Sequence, residues 1–216
     1  MRSRAMGFCL FNNVAVAARW ALDTAEIERL AIVDIDVHHG NGTAEAFAGD
    51  PRVLYVSLHQ YPLFPGTGHW RETGVGLGKG SMLNVPLPPH TGDAGYRQSF
   101  ERLVMPAVRR FAPELLIVSI GYDAHWADPL SWMLLSLSGY RAMMDDLVSL
   151  AGELCRGRIV VALEGGYDTT VLAHGVSGTL ASLMGEKSED PFGPAREPET
   201  DVDPLIAAIA RLHRLE

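Results

Sequence analysis

Hydrophobic residues follow two alternating periods along this chain. Short, continuous apolar runs rich in β-branched residues occupy residues 31–37, 53–58, 82–87, 115–120 and 159–163. Stretches with helical spacing occupy residues 14–22, 94–111, 139–155, 170–184 and 205–215. Runs that are apolar on both faces are typical of parallel strands covered by helices on each side. The pattern therefore predicts an α/β fold with a mainly parallel sheet.

Helix boundaries are suggested by a few local signals. Asn13 and Ser138 precede helical stretches as candidate caps, and Gly157 is a candidate stop for the stretch that ends at residue 155. Pro106 lies inside the stretch 94–111 and is expected to kink or divide it. The segment 185–204, rich in Pro, Glu and Asp, is expected to be an irregular surface excursion.

Length and composition narrow the class of protein. The 216 residues fit one domain, residues 1–216, and a hydrophobic content of 47% excludes a disordered chain. The net charge of -8 disfavours binding to nucleic acid or to anionic membranes, and no apolar run reaches the length of about 18 residues that a membrane span needs. Two cysteines, Cys9 and Cys155, form no disulfide framework and are interpreted as reduced core residues of a cytoplasmic protein.

Polar clusters follow three of the predicted strands at their carboxyl ends. They occupy residues 34–39, 121–125 and 164–168. In open α/β sheets the ligand site lies outside the carboxyl ends of the strands, so these clusters are expected to meet at one place. This convergence is the main indication of function in the sequence.

The first cluster contains residue types that bind metals. Strand alternation places Asp34, Asp36 and His38 on one face and turns His39 away. An isolated pair of aspartates at a strand end is more often solvated, but two carboxylates in an apolar strand need a cation or hydrogen-bond donors to offset their burial. With Asp123 as a third ligand, the set resembles a catalytic zinc site that keeps an open position, although Mn²⁺ or Fe²⁺ suits the same donor atoms.

The third cluster supplies a phenol. Tyr167 follows two glycines, and its hydroxyl could donate to an oxyanion that develops on a carbonyl group. A tyrosine buried in the core fits the same motif equally well. The acidic neighbours Glu164 and Asp168 make a purely apolar environment for Tyr167 less attractive.

Together these motifs resemble a known family. The chain carries, in order, D-I-D-V-H-H-G-N-G-T, S-L-H-Q-Y-P-L-F-P-G-T-G, G-L-G-K-G, N-V-P-L, S-I-G-Y-D-A-H, D-P-L and E-G-G-Y. They are similar to motifs of the zinc-dependent histone deacetylase and acetylpolyamine amidohydrolase family. G-F-C-L-F-N-N-V-A-V-A-A resembles the family's channel segment, so the resemblance runs from Gly7 to about Met184. Asn41 and the E-G-G-Y motif are similar to those of class II-like, bacterial members.

The resemblance implies a three-layer arginase-deacetylase fold and a set of site residues. Zn²⁺ would be held by Asp36, His38 and Asp123. Tyr167 would be the catalytic residue that stabilises the oxyanion. A monovalent cation, usually potassium, would lie near Asp34 and Ser57.

The resemblance also implies a substrate channel. Its residues would be Gly7, Phe8, Phe64 and Leu130. The two phenylalanines match aromatic walls that enclose the methylenes of an acylated lysine. Polyamine-selective relatives carry an acidic residue near the position of Leu130, so an apolar side chain there favours acetyl-lysine-like amides over acetylpolyamines.

One family motif is expected to be missing. The family places a tandem histidine, in P-G-H-H-A, shortly before the G-F-C segment, and residues 1–6 contain no histidine. The family's first strands are also expected to be missing, which would leave the strand 31–37 as an unpaired sheet edge. Without the residues that transfer protons, we expect the chain alone to be nearly inactive.

Several functions remain compatible with the sequence. The first is a zinc-dependent amidohydrolase that releases acetate from an acetylated small molecule or an acetyl-lysine protein. The alternatives are an acetylpolyamine deacetylase and a catalytically impaired module that binds a metal or an acyl group. A purely structural α/β domain would leave the acidic strand end and the E-G-G-Y motif unexplained.

Overall fold

A computed structural model describes residues 4–24 and 27–215 of the chain. The strands are β1 (Leu30–Asp34), β2 (Val53–Gln60), β3 (Met82–Leu87), β4 (Leu115–Ile120) and β5 (Ile159–Leu163). The helices are α1 (Asn13–Thr24), α2 (Asn41–Phe47), α3 (Asp93–Ser99), α4 (Met105–Phe111), α5 (Leu137–Leu154), α6 (Thr169–Met184) and α7 (Asp203–His213). All neighbouring strands of the sheet pair in parallel, which confirms the predicted α/β fold.

The strand order is β3-β2-β1-β4-β5, so β1 lies at the centre of the sheet. Asp34, at the end of β1, is opposite Ser57 of β2 on one side and Ser119 of β4 on the other. The prediction that this strand is an unpaired edge is therefore wrong. Strands β2 and β3 lie on one side of β1, and β4 and β5 lie on its other side. The order reverses between β1 and β4, and a ligand site is expected at the carboxyl ends there.

The two outer strands of the described sheet differ in burial. All six residues of β3 are buried. In β5, Val160 is 47% exposed and Leu163 is 53% exposed. Buried apolar side chains form two clusters, one on each face of the sheet. The smaller cluster, around Phe47 and Tyr55, includes side chains of α1 and α2. The larger cluster lies on the other face, where side chains of α3, α4, α5 and α7 pack together.

The first strand ends three residues earlier than predicted, at Asp34 rather than at residue 37. Asp34 Oδ1 accepts a hydrogen bond from the backbone N–H of Asp36 at 3.2 Å, and Asp36 Oδ1 accepts one from the N–H of His38 at 2.7 Å. Such local bonds compete with the regular ladder and turn the backbone. Helix α2 follows this turn, and no helix was predicted there.

The helix boundaries also correct the predicted caps. Asn12, not Asn13, accepts from the N–H of Ala15, and Ser136, not Ser138, accepts from the N–H of Gly139. Gly157, at φ +77°, ends the turn after α5 as predicted.

Pro106 divides the predicted stretch 94–111. A π-helical turn at Phe100–Val104 joins α3 to α4 immediately before it. Proline lacks an N–H and its ring crowds the preceding turn, so a widened turn accommodates it. Among the described residues, no helix has the length and apolar character needed to cross a bilayer.

Candidate metal centre

Three predicted ligands converge at the carboxyl ends of β1 and β4. Asp36 and His38 lie in the turn after β1, and Asp123 lies three residues after β4. His38 Nδ1 is 3.1 Å from Asp36 Oδ1 and 3.2 Å from Asp123 Oδ2. One ligand atom from each residue lies within 4.8 Å of the other two. The structure therefore brings two carboxylates and an imidazole together in a geometry that could hold one cation.

Backbone contacts fix the two carboxylates. Asp36 Oδ2 accepts from the N–H of Gly165 at 3.0 Å, and Asp123 Oδ1 accepts from the N–H of Val37 at 3.1 Å. A Cβ on Gly165 would lie 2.3 Å from Asp123 Oδ2, and one on Gly121 would lie 2.1 Å from Asp36 Oδ2. Glycine is required at both positions because the backbone approaches the carboxylates this closely.

The charges of the cluster are strongly coupled. Burial, followed by the charge of Asp36, raises the pKa of Asp123 above its usual range, although His38 opposes the shift. Burial alone would lower the pKa of His38, but its close contacts with the carboxylates of Asp123 and Asp36 raise it to about 10. Without a metal, a protonated imidazole thus supplies the positive charge between the two carboxylates.

One buried oxygen of the cluster has an ion-pair contact but no hydrogen bond. Asp123 is fully buried, and among residues 4–24 and 27–215 its Oδ2 lies 3.2 Å from His38 Nδ1 without a hydrogen bond of good geometry. A buried carboxylate oxygen without a hydrogen bond is costly, and a bound cation would offset the cost. The donor atoms, two carboxylate oxygens and an imidazole nitrogen, are ones that Zn²⁺ accepts. The residues present therefore fit a zinc ion.

Asp34 belongs to a different environment. Its Oδ2 accepts from the Tyr55 hydroxyl at 2.8 Å, and it lies outside the three-residue cluster. The alternation that grouped Asp34 with Asp36 and His38 does not apply, because the strand ends at Asp34. Ser57, opposite Asp34 in the sheet, has its Oγ 2.9 Å from His59 Nδ1.

The predicted channel residues line one cavity of about 590 Å³. Its lining includes Gly7, Phe8, Phe64, Leu130, Tyr167, Asp36 and His38. The ring centroids of Phe8 and Tyr167 are 6.1 Å apart, and those of Phe64 and His38 are 6.3 Å apart. A Cβ on Gly7 would lie 4.0 Å from Phe64 Cε1. Aromatic rings thus lie beside the metal ligands within this cavity.

Tyr167 lies in the same cavity and is 41% exposed, so it is not a core tyrosine. Burial raises the pKa of its phenol to about 12, and the charges of Asp123 and Asp36 add to the effect. The hydroxyl therefore stays protonated at neutral pH and is able to donate a hydrogen bond.

The structure corrects the interpretation of Cys9 and agrees with that of Cys155. Cys9 is exposed and lines the cavity, so its interpretation as a core residue is wrong, whereas Cys155 is buried. The segment that carries Cys9 is a turn over the cavity rather than part of the sheet. His39 turns toward His59, with ring centroids 4.8 Å apart, and its Nδ1 lies 2.8 Å from Thr67 Oγ1.

Two residues beside the site were not predicted as site residues. Tyr55 binds Asp34, and Asp128 binds the backbone of Tyr167. Tyr55 lies inside an apolar strand and carries no signal, whereas Asp128 lies in the D-P-L motif, of which only Leu130 was assigned to the site. Glu164 lines the cavity and accepts from the Ser119 hydroxyl at 3.1 Å; burial is the main cause of the raised pKa of its carboxyl.

Comparisons with known proteins identify the family of the chain. Residues 1–183 match the family described as the histone deacetylase domain. The chain is 45% identical over 183 residues to "Histone deacetylase 14, chloroplastic" of Arabidopsis thaliana, with 85% of this chain and 43% of that protein covered. It is 42% identical over 217 residues to "Probable deacetylase" of Archaeoglobus fulgidus, with 97% of this chain and 59% of that protein covered.

Solved structures show the same fold. The HDA15 HD domain superposes with a TM-score of 0.85 at 36% identity, covering 97% of this chain and 56% of that one. The histone deacetylase Clr3 gives a TM-score of 0.84 at 36% identity, covering 96% of this chain and 35% of that one. The chain spans about half the length of the relatives named above. Its arginase-deacetylase fold and its matching domain together show that the chain belongs to the histone deacetylase family.

Proposed function

We propose that the chain is a zinc-dependent amidohydrolase module that removes acetyl groups from acetyl-lysine-like amides. The observation that carries this proposal is the shared cavity, in which Tyr167 and two members of the acidic cluster, Asp36 and His38, lie beside aromatic walls. The substrate is an acetylated small molecule or an acetyl-lysine protein, and the products are acetate and an amine.

Zinc is the metal that we assign to Asp36, His38 and Asp123. The buried Asp123 Oδ2, which has no hydrogen bond within the described residues, and the mixed oxygen and nitrogen donor set support this assignment. A zinc ion held by these three side chains would polarise a carbonyl and lower the pKa of a water molecule. We also propose a potassium site near Asp34 and Ser57, which are opposite each other in the sheet.

Tyr167 has the catalytic role in this proposal. Its phenol, protonated at neutral pH, donates a hydrogen bond to the acetyl carbonyl oxygen as negative charge develops there. Loss of such a donor typically costs about 100- to 1000-fold in turnover.

The remaining channel residues select the substrate. Phe8 and Phe64 enclose the methylenes that lead to the amide, and Gly7 leaves room between them. Leu130 offers no carboxylate to attract a polyamine, so acetyl-lysine-like amides are preferred over acetylpolyamines.

A second function is favoured by one observation. Within residues 4–24 and 27–215, the histidines that line the cavity are His38 and His39. His38 belongs to the metal cluster, and the ring of His39 is directed toward His59. Neither is free to pass a proton to the departing amine. The chain alone would then act as a module that binds a metal and an acyl group.

Acetate release distinguishes the two functions. The purified chain is loaded with zinc, and acetate is measured after incubation with an acetyl-lysine peptide. The amidohydrolase proposal predicts slow, zinc-dependent release that Tyr167→Phe lowers by about 100-fold or more. Zinc-dependent binding of the peptide without acetate release would contradict it and favour the binding module.

The cellular location is also part of the proposal. Both cysteines, Cys9 and Cys155, are free thiols. Free thiols persist in reducing compartments, which supports our placement of the protein in the cytoplasm. The relative from Arabidopsis thaliana is chloroplastic by name, so fluorescence microscopy of the tagged protein in its own cells is the deciding measurement.

A further inference from the structure

We propose that Asp128 is a positioning residue that holds Tyr167 beside the metal centre by joining two loops. The loop after β4 carries Asp123, Asp128 and Leu130, and the loop after β5 carries Tyr167. The inference rests on the proposed function, because it takes Tyr167 to be the donor to the acetyl carbonyl.

Both oxygens of Asp128 accept backbone hydrogen bonds. Oδ2 accepts from the N–H of Tyr167 at 2.6 Å and from the N–H of Asp168 at 3.1 Å. Oδ1 accepts from the N–H of Leu130 at 2.9 Å. Asp128 is only 5% exposed, so these bonds are shielded from water. One carboxylate thus links the backbone of Tyr167 to the loop that carries a metal ligand and a channel residue.

The backbone before Tyr167 is anchored at Gly165, two residues away. Gly165 donates to Asp36 Oδ2 at 3.0 Å and accepts from the N–H of Tyr122 at 3.1 Å, and Gly166, which follows it, has φ +123°, a conformation that side chains rarely adopt. In the described part of the chain, the Tyr167 hydroxyl makes no hydrogen bond, and its ring contact is with the exposed Phe8. The position of the Tyr167 side chain therefore depends on the hydrogen bonds that its own backbone and the neighbouring backbone make.

The start of helix α6 anchors the residue that follows Tyr167. Asp168 caps the helix by accepting from the N–H groups of Thr170 and Val171, both at 2.9 Å. Asp128 in turn binds the N–H of Asp168, so Tyr167 lies between two anchored backbone positions. Without Asp128, the helix cap at Asp168 and the bonds of Gly165 would remain, but the hydrogen bond to the N–H of Tyr167 itself would be lost.

Asp190 provides a matched control. Its Oδ1 accepts from the N–H groups of Phe192 and Gly193, and its Oδ2 accepts from the N–H of Ser138, all at 2.9 Å. Like Asp128, it joins backbone groups of separate segments, but its hydrogen-bond partners do not include Leu130, Tyr167 or Asp168. Its replacement therefore removes the same kind of bond at a place where our proposal predicts no effect on Tyr167.

Amide hydrogen exchange of the purified chain tests the link directly and needs no catalytic activity. We expect Asp128→Ala to speed exchange at the amides of Leu130, Tyr167 and Asp168 by about tenfold, because each loses its acceptor. Asp128→Asn should give a smaller change, because its single amide oxygen can accept from one loop but not from both. Asp190→Ala should leave these three amides unchanged. If Asp128→Ala does not fold, wild-type protection of all three amides in Asp128→Asn overturns the proposal.

A double-mutant cycle tests the consequence for the phenol. Acetohydroxamate, an acyl compound that chelates zinc, is titrated into the zinc-loaded chain and its variants. We expect Asp128→Ala to weaken binding by about threefold to tenfold and to have no further effect in Tyr167→Phe, because it acts through the phenol. Equal losses in both backgrounds would overturn the positioning role. Failure of the zinc-loaded wild type to bind acetohydroxamate would contradict the proposed function, while the exchange experiment would still decide whether Asp128 holds the loop.

Discussion

Two acidic clusters lie side by side at the end of the central strand, and they satisfy their carboxylates in different ways. The closed cluster consists of Asp34 and Tyr55, where one aspartate oxygen accepts from the phenol and the other from the N–H of Asp36. The open cluster consists of Asp36, His38 and Asp123, where Asp123 Oδ2 accepts no hydrogen bond from the described residues. Protein donors reach both oxygens of Asp34, whereas the second cluster is the one to which we assign a zinc ion.

Burial affects both clusters in the same direction. It raises the pKa of Asp34 and of Asp123, and in both cases the charge of Asp36 adds to the shift. Gly40 leaves room for the closed cluster, since a Cβ there would lie 2.4 Å from both Asp34 Oδ2 and the Tyr55 hydroxyl. The difference between the clusters therefore comes from the donors around each carboxylate and not from the depth of burial.

Removing a ligand of the open cluster should have the largest effect. We expect Asp123→Ala to lower zinc affinity by more than about 100-fold, because loss of even an outer-shell partner costs about 10- to 100-fold. Asp34→Asn should lower zinc affinity by about tenfold or less, since Asp34 contacts the proposed ligands only through the backbone N–H of Asp36. Isothermal titration with zinc measures both, and tight zinc binding by Asp123→Ala would show that the open cluster is misassigned.

The pH dependence of zinc binding should sharpen the contrast. In the metal-free chain the pKa of His38 is about 10, so the imidazole carries a proton that zinc must displace. Zinc affinity should then rise by about tenfold per pH unit between about pH 6.5 and 8.5, because one proton leaves for each ion bound. Titrations in buffers of different ionisation enthalpy count the released protons. If zinc affinity is independent of pH over this range, His38 is not protonated in the metal-free chain and the prediction is wrong.

Stability should respond most to the closed cluster. Tyr55→Phe removes the donor to Asp34 and should lower the free energy of unfolding by about 1–3 kcal/mol, because it leaves a buried acceptor unsatisfied. Zinc affinity should change little. Tyr61→Phe is the matched control, since no hydrogen bond of the Tyr61 hydroxyl occurs in the described part of the chain. Urea unfolding of the metal-free proteins measures the free energy of unfolding of each variant. Equal values for the two variants would contradict the stabilising role that we assign to the Tyr55 hydroxyl.

The smallest expected effect concerns potassium. Potassium chloride should stabilise the chain by about 1 kcal/mol relative to tetramethylammonium chloride at equal ionic strength, as a ligand at several times its Kd does. Asp34→Asn and Ser57→Ala should remove the difference. Thermal unfolding in the two salts measures it. Identical unfolding midpoints of the wild type in the two salts would contradict the proposed potassium site.

The sequence predicted the strands better than the way they are connected. Continuous apolar runs identified all five strands of the described sheet, and the acidic motifs contain the three side chains that the structure brings together, Asp36, His38 and Asp123. Alternation failed after Asp34, because side-chain bonds to the backbone end the strand there.

Contacts between distant segments were beyond prediction. Asp128 and Tyr167 are separated by 39 positions, and their bond depends on the return of the chain from β4 to β5. The central position of β1 likewise depends on the crossing of β4 to its other side, which no local pattern reveals. Local periodicity thus gave the elements, whereas the pairing of loops and strands needed the structure.

The central claim is that Asp36, His38 and Asp123 bind zinc, and X-ray absorption at the zinc edge tests it most directly. The account predicts a first shell of oxygen and nitrogen alone, at about 2.0–2.2 Å, in the chain loaded with one equivalent of zinc. Cys9 lines the same cavity and offers the competing ligand. A sulfur scatterer at about 2.3 Å that disappears in Cys9→Ser would contradict the account.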